Sequence, residues 1–249
     1  MALSKTHILL SALAFHRNRC MPELRVPFVV LPDAIRCFNY GKFVPNNRVI
    51  THFEIHPVSQ RASWIRFPSI DELKNLDDTK IQSYQMGIES DYNQVAIGDE
   101  TSIETFKKHN LGLEPEEFLG IHLHLEQDKI YDEYVRQKID CTERQKGIFK
   151  FKGKIYDPIE VRNLITEIEE QEFRVLAKKV TVEMGIIPDM NWFEKNVFTA
   201  LRSAYCTKMA ECTINHIKVD LSSEFPCHLS DEECNGIVEK MLLKTEELL

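Results

Sequence analysis

The chain has 249 residues, of which 43% are hydrophobic and 28% are charged, and this composition is ordinary for a water-soluble globular protein. Its formal net charge is −8, but residues 1–66 hold nine Lys or Arg against three acidic residues, so this quarter carries +6 and the remainder −14. The acidic remainder argues against a protein that coats nucleic acid, whereas the basic quarter either favours an anionic substrate or is scattered surface charge.

Cysteine usage and hydropathy predict a cytoplasmic protein. The seven cysteines form no CxxC pair, and an odd number fits reduced thiols better than a disulfide framework. The apolar run that follows Lys5 is interrupted by His7 and has no small-residue cleavage site after it, which is not typical of a signal peptide. No run approaches the roughly 20 apolar residues that span a bilayer, so we expect no stable membrane insertion.

The first half of the chain predicts helices separated by irregular segments. Residues 3–16 indicate a helix, and prolines and a glycine break residues 20–50 into loops and short turns. Within that region, residues 25–31 are apolar enough for a short strand, but a buried coil fits them equally well. Residues 71–87 and 101–109 have helical patterns.

The second half predicts longer helices and one hairpin. A helix starts at Pro115, which suits the first helical position, with acidic residues in its first turn. Residues 146–156 alternate apolar and charged side chains around two glycines, the best candidate for a β-hairpin. Helices follow over 159–184, 190–215 and 231–248. We therefore predict a mainly α protein, a single compact multi-helix domain over residues 1–249 with a small β-hairpin near 146–156.

The residues most suggestive of chemistry lie in the helix that starts at Pro115. His124 and Asp128 are one turn apart in an otherwise apolar stretch, so they share a helix face and can bind the same ion. His122 lies two positions from His124 and points to a different face. Gln127 and its neighbour Glu126 are expected to face elsewhere. Tyr131 is expected to pack rather than to react.

Four short motifs occur in a definite order along the first 135 residues. They are Thr6-His7, Pro32-Asp33, Thr51-His52-Phe53 and Gly120-x-x-x-His124-Leu-x-x-Asp128. This order and spacing resemble the zinc-dependent phospholipase C family, which is similar to the fungal zinc nucleases. The resemblance implies an all-α fold whose metal ions hydrolyse phosphoesters. It leaves the helices of residues 158–249 unassigned.

The resemblance also implies a ligand set. Asp33, His52, His124 and Asp128 would bind one ion and carry the catalysis, and His7 would help to bind a second ion that Asp128 bridges. Imidazole and carboxylate ligands suit Zn²⁺, although Mn²⁺ or Fe fit the same donors. The family's third ion needs further histidines after the helix, and no histidine lies between Asp128 and His216. That third site is therefore missing or is rebuilt from acids such as Asp132, Glu169 or Glu170. The sequence therefore predicts a site for one or two ions.

Other residues could assist such a site. His56 follows His52 by four positions and is a candidate to contact the substrate or a ligand, and a basic residue could neutralise a phosphate oxygen. The candidates for that second role are Arg17, Arg19 and Arg36.

Two functions follow from these motifs. The first is an intracellular metal-dependent phosphoester hydrolase that uses a metal-activated water on a nucleotide-like or phospholipid-like substrate, which includes anionic small molecules and short nucleic acids. The alternative is a non-catalytic binding protein on the same scaffold, with a structural metal or none, whose acidic C-terminal half serves an oligomer or a partner. The sequence has no P-loop and no GxGxxG, GxSxG or HExxH motif, so it offers no support for the enzyme classes that these motifs define.

Overall fold

A computed structural model of the chain describes residues 3–19, 26–34, 52, 69–77, 102–109 and 112–249. These residues are mostly helical and include one two-stranded antiparallel sheet, which confirms the prediction of a mainly α fold with a small hairpin. The helices are α1 (Ser4–Asn18), α2 (Val26–Val29), α3 (Leu31–Ala34), α4 (Ile70–Lys74), α5 (Ile103–His109), α6 (Pro115–Lys138), α7 (Pro158–Met184), α8 (Met190–Phe193), α9 (Thr199–Ala204), α10 (Thr207–His216) and α11 (Asp231–Leu248). None of these described helices is long and apolar enough to cross a membrane.

Helix α1 lies at the centre of the core. Every residue from Lys5 to Phe15 is buried, so α1 is covered all round rather than along one stripe. It packs against α7 and α11, and α11 in turn packs against α6 and α7. The four long helices α1, α6, α7 and α11 therefore enclose a shared apolar interior, and polar side chains on α1 and α6 face one another inside it.

Helix α2 crosses α6 at very short distance because of a glycine. A Cβ atom on Gly120 would lie 2.4 Å from the Cβ of Phe28 and 2.9 Å from its carbonyl carbon. Only glycine leaves room for this approach. The hydroxyl of Tyr205, which is buried beside α2, donates a hydrogen bond to the carbonyl of Pro27 and holds the same turn from the other side.

The hairpin forms where the sequence predicts it. Strand β1 (Phe149–Phe151) pairs with β2 (Lys154–Tyr156), and Lys152 and Gly153 connect them with φ angles of 48° and 78°. Two consecutive positive φ values match the two-residue turns that fit the twist of a hairpin. Phe149 and Phe151 bury their rings in the core.

Residues 20–50 are not free of helix, contrary to expectation. Residues 26–34 form α2 and α3 rather than a short strand or a coil, and the Val30 amide donates to the Val26 carbonyl at 3.1 Å. Proline is compatible with the first turn of a helix, so Pro27 does not prevent this turn. Residues 20–25 and 35–50 lie outside the described residues. The helix predicted over residues 71–87 already ends at Lys74, since residues 75–77 are not helical, and residues 78–87 lie outside the described residues.

The single helix predicted over residues 190–215 is also wrong. It is divided into α8, a π-helical segment (Glu194–Phe198), α9 and α10, and Tyr205 and Cys206 are extended between the last two. The Cys206 amide donates to the carbonyl of Leu73 on α4 at 3.0 Å. A long-range hydrogen bond therefore replaces a helical one at this break.

Buried acidic groups line the interior between α6 and α7. Glu172 is 2% exposed, and burial together with the nearby Glu169 raises its pKa well above the usual value. The fully buried hydroxyl of Tyr131 lies near both carboxyl groups. At the neighbouring turn of α7, Lys5 donates to Glu170 at 2.5 Å and to the Lys218 carbonyl at 2.6 Å.

The raised pKa of Glu172 makes folding depend on pH. Above pH 4.5 the unfolded chain has released this proton while the folded protein retains it. The protonated carboxyl therefore makes its full contribution to the free energy of unfolding below pH 4.5, and this contribution falls as the pH rises. We expect Glu172→Gln, which mimics the protonated acid, to gain up to about 1.4 kcal/mol of unfolding free energy relative to wild type per pH unit above this value. Urea unfolding of metal-free protein up to about pH 8 measures the difference. Glu224→Gln, at an exposed position, is the control. If the unfolding free energies of wild type and Glu172→Gln changed in parallel with pH, the raised pKa of Glu172 would be contradicted.

Candidate metal centre

Five residues that are far apart in the sequence meet inside the helical core. We call them the His/Asp cluster: His7 on α1, Asp33 on α3, His52, and His124 and Asp128 on α6. The three histidines and Asp128 have no exposed surface, and Asp33 is 6% exposed. The structure therefore brings together every residue of the predicted ligand set.

Nε2 of His52 lies among the donor atoms of three other cluster residues. The Nε2 atom of His52 lies 3.2 Å from Nε2 of His124, 3.4 Å from Oδ1 of Asp33 and 3.4 Å from Oδ2 of Asp128. His124 Nε2 lies 3.6 Å from the same Asp128 oxygen. The fifth residue, His7, contacts the other oxygen of Asp128, Oδ1, which lies 3.2 Å from its Nε2 atom. The ring of His7 stacks on the ring of His124, with 3.8 Å between the ring centroids.

A hydrogen bond from Nδ1 of His124 determines the protonation of its ring and leaves Nε2 facing the cluster. This Nδ1 atom lies 2.8 Å from the carbonyl oxygen of Val29, and because a carbonyl only accepts, Nδ1 carries the proton. The neutral ring then presents the lone pair of Nε2 to the cluster. Histidines that bind metals are commonly held this way, with the second nitrogen donating to a carbonyl or carboxylate. The close approach of α2 to Gly120 is what places Val29 beside His124.

The arrangement fits a bound cation. At zinc–ligand distances of 2.0–2.1 Å, two ligands of a tetrahedral ion are separated by about 3.3–3.4 Å, close to the four distances measured around His52 and Asp128. His7 Nε2 is buried and faces the carboxylate of Asp128 at 3.2 Å. Two overlapping groups, one of His7, Asp33 and His124 and one of His52, His124 and Asp128, keep their donor atoms within 4.8 Å of one another. These buried groups could hold a metal ion.

Electrostatics in the cluster follow from burial and from the two carboxylates. Burial, reinforced by the neighbouring His7, lowers the pKa of His124 well below its usual value, so this ring stays neutral. Burial also lowers the pKa of His7, but hydrogen bonding and charge from Asp128, with a smaller effect of Asp33, outweigh it and raise the pKa. The carboxylates therefore attract positive charge, which either a proton on His7 or a metal ion supplies.

The two auxiliary candidates that the structure describes, Arg17 and Arg19, lie away from the His/Asp cluster. Arg17 forms ion pairs with Glu183 at 2.7 Å and Glu246 at 2.9 Å, so it ties α1 to α7 and α11. It lies ten residues beyond His7 along α1, a distance of about 15 Å at the rise of an α-helix. The structure therefore does not bring Arg17 to the cluster, and Arg19 lies at the same end of α1. His56 and Arg36 lie outside the described residues.

The prediction that His122, Glu126 and Gln127 face away from the cluster is correct for only part of this set. His122 is directed away from the cluster and lies 3.3 Å from Glu126, one turn along the helix. Gln127, however, was expected to face elsewhere and instead contacts the site, because its Oε1 atom lies 2.7 Å from Nδ1 of His7. Periodicity missed it because α6 is buried over most of its circumference, so no polar face marks which side contacts α1.

Comparison of the chain with protein-family models, with curated proteins and with solved structures finds no match. The likeness to the zinc-dependent phospholipase C family therefore stays a prediction from the four motifs. The metal-binding geometry does not depend on that likeness, because it follows from the positions of the side chains.

Substitution of Gly120 tests how the cluster is supported. The added Cβ in Gly120→Ala would overlap Phe28, so α2 must move and the Val29 carbonyl must leave His124. We expect a loss of about 1–3 kcal/mol of unfolding free energy and weaker binding of zinc. Chemical denaturation and competition with a chromophoric chelator measure the two effects.

Gly236 provides a matched control for this substitution. It is also a helical glycine, on the exposed side of α11, and a Cβ there meets no atom within 4 Å. Gly236→Ala should stabilise the protein by up to about 1 kcal/mol through helix propensity and leave zinc binding unchanged. If Gly120→Ala and Gly236→Ala had the same unfolding free energy and the same zinc affinity, the contact of α2 with α6 would not be what positions His124.

Proposed function

We propose that this chain is a metal-dependent phosphoester hydrolase with a cation bound by Asp33, His52, His124 and Asp128. The convergence of these four donors in one buried volume supports the proposal most strongly, because the sequence separates them by as much as 95 positions. The order of the four motifs supports the reaction class. Cysteine usage supports a cytoplasmic location.

Zinc is the cation that we propose. Two imidazoles and two carboxylates form a mixed nitrogen and oxygen donor set, which suits zinc better than the oxygen-only sites that Mg²⁺ and Ca²⁺ prefer. His7 and Asp128 would share a second ion, because the two oxygens of Asp128 face different histidines. Mn²⁺ or Fe would be accepted by the same donors.

A bound ion would supply two things to phosphoester hydrolysis, an activated water and stabilisation of charge that develops on phosphorus. The residues of this chain hold the ligands in place for that role. Val29 fixes the ring of His124, and the hydroxyl of Ser4 donates to Asp33 and orients its carboxylate. The surplus positive charge of residues 1–66 supports an anionic substrate, a nucleotide-like or phospholipid-like phosphoester or a short nucleic acid.

One observation favours a second candidate, a structural metal in a non-catalytic binding protein. Catalytic zinc sites keep a coordination position open, whereas structural sites are closed by protein ligands. Here the His/Asp cluster is buried and consists of protein donors, with His52 Nε2 within 3.4 Å of donor atoms from His124, Asp33 and Asp128. A substrate reaches such a site only if the protein opens or if a ligand is displaced.

The two candidates differ in what the cluster variants lose. Under the proposed function, protein purified without chelator contains one or two zinc-like ions, and His124→Ala and Asp128→Ala lose both the metal and the hydrolysis of an activated phosphodiester. Elemental analysis and a chromogenic assay measure these quantities. Because a lost ligand leaves buried charge unpaired, we also expect each variant to unfold more easily, by about 3–5 kcal/mol.

His122→Gln is the control on the same helix, because His122 lies near α5 and the side chain of Phe118 rather than in the cluster. It should keep both metal and activity. A folded wild-type protein without metal would contradict both candidates that contain an ion. Bound metal without hydrolysis of phosphodiesters and phosphomonoesters would favour the structural role.

A further inference from the structure

A chain of hydrogen bonds connects His7 to the C-terminal helix. Nδ1 of His7 contacts Oε1 of Gln127 at 2.7 Å, Nε2 of Gln127 contacts the hydroxyl of Thr245 at 2.8 Å, and that hydroxyl contacts the carbonyl of Met241 at 2.8 Å. The three side chains are at most 1% exposed. Water therefore does not compete for these hydrogen bonds.

The last hydrogen bond of the series, from Thr245 to the Met241 carbonyl, determines which atom donates in each of the others. The Met241 carbonyl only accepts, so the hydroxyl proton of Thr245 is used there and the hydroxyl oxygen accepts from the amide nitrogen of Gln127. The amide oxygen of Gln127 then faces His7, and Nδ1 of His7 must donate to it. A neutral His7 consequently has the lone pair of Nε2 directed at Asp128.

We propose that Gln127 and Thr245 are positioning residues that present Nε2 of His7 to a divalent cation held beside Asp128. This inference rests on the proposed function only in that the cluster binds a cation. It gives α11 a part in the metal centre, although the helix contributes no ligand.

The alternative orientation of Gln127 shows why the hydroxyl matters. If the amide were reversed, its nitrogen would face Nδ1 of His7, and the ring would place its proton on Nε2. That proton would point at Asp128 and occupy the direction from which a cation must be bound. The hydroxyl of Thr245 disfavours this orientation, because its only proton is already given to Met241.

Thr245→Val tests the inference, because valine keeps the shape of threonine and removes the hydroxyl. With zinc as the probe, we expect affinity for the ion bound by His7 to fall by about 10–100-fold, the usual effect of losing an outer hydrogen bond to a metal ligand. Competition with a chromophoric chelator measures the affinity. Nitrogen-15 spectra of the zinc-loaded protein should show Nδ1 of His7 protonated in wild type and this signal weakened or lost in the variant.

Two further variants separate positioning from packing. Thr245→Ser retains the hydroxyl and should restore zinc affinity and the His7 spectrum. Thr213→Val is the matched control, because Thr213 is also buried and its hydroxyl donates to the Met209 carbonyl one turn earlier, on α10, away from the site. It should bind zinc as wild type does.

Gln127→Met removes both hydrogen bonds at similar volume and should weaken zinc binding in the same way, which keeps the test available if Thr245→Val does not fold. The inference is overturned if Thr245→Val or Gln127→Met retains wild-type affinity and the wild-type His7 signal. It is also overturned if Thr213→Val loses as much affinity as Thr245→Val. Failure of the proposed function gives different results: without a cation site the wild-type protein itself would bind no zinc, and with a structural metal only hydrolysis would be missing while the zinc affinities of the variants keep the expected order.

Discussion

Two carboxylates share a buried volume with three histidine rings, and the charge of those carboxylates is the constraint on which this structure depends. An isolated charge in a protein interior costs several kcal/mol, so Asp33 and Asp128 need positive charge beside them. The pKa of His7 is raised because hydrogen bonding and charge from Asp128 outweigh burial, which favours a proton there, whereas burial and the neighbouring His7 lower the pKa of His124. A divalent cation bound in the cluster would satisfy the carboxylates and the inward lone pair of His124 together.

The surrounding helices act on the cluster mainly through backbone carbonyls and neutral side chains. Gly120 admits α2, the Val29 carbonyl of α2 then orients His124, and Thr245 on α11 orients His7 through Gln127. Each contact fixes a ring without adding charge to the interior. The supporting residues are as far apart in the sequence as Val29 and Thr245, so the cluster depends on the packing of α1, α2, α6 and α11.

The sequence predicted the features that depend on local periodicity or on motifs. The His124–Asp128 pair is placed by helical spacing alone, and the hairpin is placed by its two glycines and the alternation of its residues. His7, Asp33 and His52 could be added because they occur in a recognisable order, which carries information that spacing does not. The finer property, zinc-dependent hydrolysis, remains a prediction.

What the sequence did not reveal depends on contacts between distant segments. Gln127 was assigned to another face because α6 is buried on nearly every side, so polarity could not show which residues contact α1. The break at Tyr205 and Cys206 has no Gly or Pro to mark it, since it is stabilised by the Leu73 carbonyl on α4. Charge and nearness in sequence make Arg17 a candidate to contact the substrate, but its position beside Glu183 and Glu246 is set by the packing of α1 on α7 and α11.

Anomalous X-ray diffraction from crystals of the full chain, recorded at the zinc absorption edge, tests the central claim most directly. The account predicts a strong peak about 2.0–2.2 Å from the Nε2 atoms of His52 and His124 and from the carboxylate of Asp128. A second peak beside His7 would show that Asp128 bridges two ions. Crystals grown with zinc that show no peak, with the histidines and carboxylates hydrogen-bonded directly to one another, would contradict it.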